Sequence, residues 1–294
     1  MNNFIDLKQL IVEKLTEIGF QVDIDTEKAL RKAQSIEESE LSYDVLFQLC
    51  KNIDIAKERN FPLCQDTGLV VFWVKIGEQI IANNIFNSLI NGMSEYRKGL
   101  SSLLNQAVME AFQKNNFRHS VVKDPIDRKN TNNNTPAIIH YEFTEGNSIE
   151  ISMMLKGGGS ENMSSLKMLK PSDGIQGIRD FVLNVVKNSG GNACPPLTIG
   201  VGIGGNFETC ALLAKKSLFR KPNEKNNSEF WAKEESFLLK EINKLNIGPM
   251  GFGGKSTALK VHIETLPCHI ASLPVAVNLE CHAHRLSWLT LSDL

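Results

Sequence analysis

Apolar residues recur at three- and four-residue intervals through the first sixty positions. Leu7, Leu10, Ile11, Leu15 and Ile18 fall on one face of a helix over 7–18. Asp25 and Thr26 are placed to cap a second helix running through Ala33, and residues 41–55 repeat the pattern, so residues 1–60 read as a mainly helical part. After Gly68 the period changes. Leu69-Val70-Val71-Phe72-Trp73-Val74-Lys75-Ile76 is β-branched, aromatic and nearly continuous, which predicts a buried strand. Residues 85–112 return to a helical period with a break near Gly99, and the polar stretch 121–134 reads as loop. Residues 137–143 and 148–155 predict a strand pair around the turn Glu145-Gly146-Asn147. Further on come a helix over 173–186, a strand over 197–203 and a helix over 207–217. A charged connection at 221–228 leads to a helix over 229–245 and strands over 258–265 and 275–279. Helices and strands alternate without a strict βαβ rhythm. The expected class is mixed α/β: a helical N-terminal part followed by short mixed sheets surrounded by helices.

Composition narrows the setting. A chain of 294 residues can bury a large core, as one big domain or two intimate ones. Hydrophobic residues at 42% and charged residues at 22% are ordinary for a soluble protein, and a net charge of −1 advertises neither nucleic acid nor an anionic membrane as partner. The first twenty residues carry acidic groups and no long apolar run, unlike a secretory signal, and no apolar stretch reaches the roughly 18 residues of a membrane span. The expectation is a cytoplasmic protein. Six cysteines in a chain this long are then free thiols, metal ligands or redox groups rather than a disulfide framework. Cys50 and Cys210 sit in helical apolar patterns and read as small buried hydrophobes.

Three other cysteines have more pointed neighbours. Cys64 lies in Phe-Pro-Leu-Cys-Gln-Asp-Thr-Gly, residues 61–68, just before the first strand; Gln65 and Asp66 are candidate ligand or proton-carrying groups. The bland reading is a turn in which Asp66 bonds the backbone and Gly68 takes a positive φ. Cys194 precedes Pro195 and Pro196, which impose a rigid non-helical turn. Cys281 is followed by His282, His284 and Arg285, a spacing that also admits zinc. The three lie 130 and 87 positions apart, so a shared site must be assembled by the tertiary fold rather than by a local knuckle.

Lys156-Gly-Gly-Gly-Ser-Glu-Asn162 follows a strand and has the makings of an anion-cradling loop, with Gly159 at its centre. Gly253-Gly254-Lys255-Ser256 has a phosphate-loop ending, but Pro249 stands where a Walker A loop needs its first glycine, so nucleotide binding is excluded there. Gly200, Gly202, Gly204 and Gly205 lie within and just after a strand and read as close-packing positions. On local grounds Arg118 is a surface arginine, and His269, in Leu-Pro-Cys-His-Ile, is a satisfied core histidine.

Cys-Gln-Asp-Thr-Gly, Lys-Gly-Gly-Gly-Ser-Glu-Asn, Asn-Ala-Cys-Pro-Pro and His-Ile-Glu-Thr together make this chain resemble the α subunit, or N-terminal domain, of the class I iron–sulfur hydro-lyases. These are the oxygen-sensitive fumarases and L-tartrate dehydratase, and the resemblance covers nearly the whole chain. It implies that Cys64, Cys194 and Cys281 hold a [4Fe–4S] cluster whose fourth iron, lacking a protein ligand, acts as a Lewis acid in the reversible hydration of fumarate to (S)-malate. It places Gln65 and Asp66 at the substrate, with Asp66 as proton carrier. Arg118 becomes a carboxylate clamp, Gly159 a backbone contact with Lys156 beside it, and His269 a catalytic histidine near the substrate. It further implies that residues 1–294 are the α-subunit catalytic domain and that the β domain is a separate chain. The expected partners are that β subunit, in an α₂β₂ assembly, and a small dicarboxylate. The Lys-Gly-Gly-Gly-Ser-Glu-Asn-Met run, continued by Lys167-Met168-Leu169-Lys170-Pro171, points to the fumarase version, with L-tartrate dehydratase as the alternative. The rivals from other classes are a zinc-binding or redox-sensing module built on Cys281, His282 and His284, and a structural partner with no cluster.

Overall fold

The computed structural model describes residues 7–82, 99–221 and 223–291. By internal contacts the chain divides into two compact units. The first takes the residues up to Gln21, then Ala56–Lys156, then those from Arg285 on; the second takes Val22–Ile55 and Gly157–His284. The mixed α/β expectation holds, and the helical N-terminal part is shared out between the units.

In the first unit, α1 (Leu7–Phe20) and α5 (Leu100–Lys114) cover one face of a four-stranded sheet. In sequence, α2 (Ile24–Ile36) and α3 (Glu40–Arg59) come between α1 and the first strand and belong, up to Ile55, to the second unit; α4 (Glu78–Ala82) follows that strand. The sheet has the order β2-β1-β3-β8, with β1 at Leu69–Gly77, β2 at Ile138–Thr144, β3 at Ile149–Lys156 and β8 at Arg285–Leu291. Ile11 and Leu15, Leu104 and Phe112, Phe72 and Ile151 meet in its core, all buried. The expected β2–β3 pair does not form. β1 lies between them, parallel to β2 and antiparallel to β3. The reason is burial: β1 is apolar on both faces and needs a neighbour on each side, whereas β2 alternates exposed and half-buried positions and suits an edge. The turn after β2 therefore crosses the end of β1. Gly77 makes room for it, since a Cβ there would come within 2.3 Å of Gly146 O. The part of the expected 85–112 helix before residue 99 lies outside the described residues.

In the second unit the sheet order is β4-β7-β5-β6. Its strands are β4 (Ser165–Leu169), β5 (Leu197–Gly205), β6 (Ala258–Cys268) and β7 (Leu273–Glu280). A one-turn helix, α6 (Gly158–Glu161), precedes β4. Beyond β4, α7 (Gly174–Ser189) and α9 (Glu229–Asn243) bury Val182, Val186, Leu238 and Ile242 against Ile199, Val261 and Val277. On the opposite face α8 (Phe207–Ser217) lies so close to β5 that Cβ atoms at Gly200 and Gly202 would stand 2.2 Å from Ala214 O and 2.1 Å from Cys210 O. The β5 glycines are packing residues, as their position inside the strand implied. The α2 cap is Asp23 rather than Asp25 or Thr26: its carboxylate accepts from Asp25 N (3.0 Å) and Thr26 N (3.1 Å). No helix among the described residues is long and apolar enough to cross a membrane.

Candidate functional site

In the first unit the loop at 61–68 is held from several sides. Leu63 N–H donates to Gly19 O (3.0 Å), which pins the loop to the end of α1. Gly68 has φ +86°, a conformation that favours glycine, and its carbonyl accepts from Asn134 Nδ2 (3.1 Å). The fully buried Asn134 also accepts, at Oδ1, from Ser120 N (2.6 Å) and Val121 N (3.3 Å). One amide thus ties the Cys64 loop to the segment carrying Arg118. The Ser120 hydroxyl closes the same link, donating to Asp66 Oδ1 at 3.2 Å. Cys64 and Asp66 are half-buried, while Gln65 and Arg118 are exposed. Lys156, the last residue of β3, is buried and stands opposite Leu69 at the start of β1.

Arg285 completes this arrangement, although no local pattern around it signals a role. It opens β8 opposite Leu155, is 1% exposed, and donates from Nη2 to Asp66 O at 3.1 Å. Its Nε and Nη1 have no hydrogen-bond partner among the described residues. A buried guanidinium normally fills its fork, so two unpartnered nitrogens beside the Cys64–Asp66 loop leave room for an anionic group.

In the second unit Cys194 follows α7 and a short 3₁₀ turn, and sits in the left-handed region (φ 55°, ψ 62°). Its carbonyl accepts from His282 N (3.1 Å), and His282 Nδ1 lies 3.1 Å from the same oxygen. The Cys194 and Cys281 segments are therefore stitched together through the residue next to Cys281. Cys281 itself follows β7, with Sγ 3.5 Å from Oε1 of the buried Glu280. Gly159, in α6, faces the same turn: a Cβ there would lie 3.5 Å from Asn192 O. The unit thus gathers Cys194, Cys281 and Gly159.

His269 is elsewhere. It is exposed in the short connection before β7, whereas Cys281 follows the other end of that strand, about 25 Å away at roughly 3.3 Å per residue. The core-histidine reading of residue 269 fails, because the connection arches over the end of β5 into solvent; its Nδ1 only accepts from Ala271 N (3.1 Å).

The six thiols are all free and sort by burial. Cys50 and Cys210 are buried, and burial pushes both thiols up, so they stay protonated as their apolar contexts implied. Cys268 is exposed. Cys64, Cys194 and Cys281 alone are half-buried on loops, the setting of a thiolate that must reach a ligand while shielded from bulk water. Arg285 adds a buried positive charge beside the Cys64 loop, and half-buried thiols are the donor type that an iron–sulfur group takes. Among the described residues no three His, Cys, Asp or Glu side chains gather as a single-ion site; Cys281, His282 and the buried His284 do not form a zinc-type cluster.

This chain is thus of the class that presents three separated cysteines on loops of a two-unit mixed α/β scaffold. A sequence profile described as fumarate hydratase (Fumerase) matches residues 8–290, and the chain belongs to that family. It is 41% identical over 281 residues to a Methanocaldococcus jannaschii protein provisionally named L(+)-tartrate dehydratase subunit alpha, covering 95% of each chain. It is 34% identical over 292 residues to the L(+)-tartrate dehydratase subunit alpha of Escherichia coli, and equally to that of Shigella sonnei, covering 95% of this chain and 91% of each relative.

Proposed function

We propose that this chain is the α subunit of a hydro-lyase that adds water across the double bond of fumarate and removes it from (S)-malate, working with a separate β subunit. The family match over residues 8–290 carries the reading. The relatives' names, each a subunit alpha, support the second chain, and an α₂β₂ assembly with residues 1–294 acting as one catalytic part is proposed with it. Cys64, Cys194 and Cys281 would hold a [4Fe–4S] cluster, which when bound supplies a Lewis acid for the substrate hydroxyl.

The chain's own residues supply the rest. Dehydration breaks one C–O and one C–H bond and releases water, with no net electron transfer. Asp66 is the proposed proton carrier: Ser120 holds one carboxylate oxygen and Arg285 its carbonyl, so the acid is presented in one orientation. Gln65, exposed beside it, offers an amide to the substrate. Arg118, on the segment that Asn134 fixes to the same loop, offers a fork to a carboxylate, and Lys156 adds a buried positive charge. Gly159 lets the substrate approach backbone N–H groups without a side chain intervening. His269, exposed in the connection before β7, is proposed as a second proton carrier.

The names of the relatives favour a second reading, L(+)-tartrate as the substrate. Both readings share the cluster and differ in the pocket. The test is anaerobic reconstitution of the chain with its β subunit, followed by assays on fumarate, (S)-malate and L(+)-tartrate beside a Cys64→Ser control. Turnover of fumarate with about four iron and four sulfide per α chain, both lost in the control, is the expected result. Turnover of tartrate alone would move the assignment to the second reading. Full turnover by the Cys64→Ser protein would overturn both.

A further inference from the structure

A second polar site lies within the second unit, on the sheet face that α2 covers. There a cavity of about 440 Å³, the size of small-molecule sites, is walled by Lys28 and Lys32 of α2, Lys255 and Ser256, and Lys260 and His262 of β6. These four lysines face a single carboxylate in the wall, Asp25. Lys28 stands 3.8 Å from Asp25 and Lys255 2.5 Å from Glu38. Among the described residues, Lys32 and Lys260 have no ion-pair partner.

The floor carries the stronger signal. Lys260 and His262 are two apart on β6 and so project to one face, beside Thr198 and Gly200 of β5. His262 is 1% exposed, lines the cavity, and has no hydrogen-bond partner at Nδ1 among the described residues. A ring nitrogen buried without a partner costs stability unless something enters to meet it. Burial and the nearby Arg220, Lys260 and His284 keep the imidazole neutral, and burial likewise weakens the hold of Lys260 on its proton. An anion in the cavity would reverse the penalty on Lys260 and give the neutral imidazole a partner.

The glycine run before Lys255 explains part of this. Its backbone does not cradle a phosphate, because Gly254 N donates to Asn246 Oδ1 (3.0 Å) and Lys255 N to Glu37 Oε2 (2.8 Å). What the loop contributes to the cavity wall is Lys255 and Ser256.

We propose that this cavity binds a small oxyanion, a carboxylate or phosphate group seated between Lys32 and Lys260 with His262 and Ser256 as its hydrogen-bonding partners. The inference is independent of the hydro-lyase reading. The test uses the full chain, titrated by calorimetry with inorganic phosphate and separately with succinate at constant ionic strength, while labelled histidine ring resonances report on His262. The expected result is saturable binding that moves the His262 resonances and weakens about tenfold, the worth of one charge-assisted contact, in Lys260→Met and in Lys32→Gln. Lys32 is exposed on its helix, so Lys32→Gln decides the matter if Lys260→Met does not fold. Saturation by phosphate alone, by succinate alone or by both assigns the group within the oxyanion class. Absence of saturation with either probe overturns the proposal. So does binding that survives the lysine substitutions, or binding that Cys194→Ser abolishes, since that would place the anion at the cysteines.

Discussion

Replacing Asn134 with alanine removes the side chain that joins the Cys64 loop to the segment carrying Arg118. Three hydrogen bonds go at once: Ser120 N and Val121 N lose their acceptor, and Gly68 O loses its donor. At about 1 kcal/mol net for each, the loss is about 3 kcal/mol. Asn134 also has φ 56°, where asparagine is tolerated and alanine is penalised by about 1 kcal/mol more. The full cost of Asn134→Ala is then about 4 kcal/mol. Asn134→Gly loses the same bonds without the backbone penalty, so it should be the milder variant by about 1 kcal/mol. Urea denaturation of the chain measures both, and amide exchange at Ser120 and Val121 localises the loss. If Asn134→Ala costs less than about 1 kcal/mol, or if glycine is the more damaging substitution, the structural role assigned to this amide is wrong.

Gly202→Ala should cost about 1–3 kcal/mol, or prevent folding, because its Cβ would sit 2.1 Å from Cys210 O and 2.5 Å from Ala214 N, backbone atoms that cannot turn aside; thermal melting at wild-type level would refute the β5–α8 packing argument. His262 titrates well below the ordinary imidazole value of 6.5, so the unfolded chain takes up a proton that the folded chain refuses. Stability therefore falls as pH drops below 6.5, by up to about 1.4 kcal/mol per pH unit, and His262→Gln should flatten that part of a urea-midpoint pH profile. An unchanged slope would remove His262 from the explanation. Arg285→Met should leave the apo chain as stable as wild type or more so, since it replaces a buried guanidinium with two unpartnered nitrogens by an apolar chain of similar length. The same variant should lose iron retention and at least about tenfold in turnover, the worth of one charge-assisted contact. Retained iron and activity would show that the open fork has no ligand to meet.

How much of this was visible in the sequence depended on whether the signal was local. Helix α8 and strands β1 and β5 are continuous in their period, and the pattern predicts them almost to the residue. β4 and β8 carry no such signal, because Ser165–Leu169 and Arg285–Leu291 mix polar and apolar positions and become strands only through their partners β7 and β3. The same applies to the order of the first sheet. A turn composition at 145–147 predicts that the chain reverses, but it does not reveal that β1 will stand between the two strands it joins.

The site divides along the same line. Each cysteine announced itself by its neighbours, but nothing in Cys-His-Ala-His-Arg says that the backbone of His282 holds Cys194, or that Arg285 turns back to Asp66. Those links join positions 88 and 219 residues apart in sequence. Asn134 was one amide among several in a polar run, distinguished only by full burial and three bonds. The residues that hold the candidate chemistry in place are therefore polar groups whose partners are remote in sequence. Their side chains are ordinary, and only the burial that leaves no water to replace a lost partner makes them decisive.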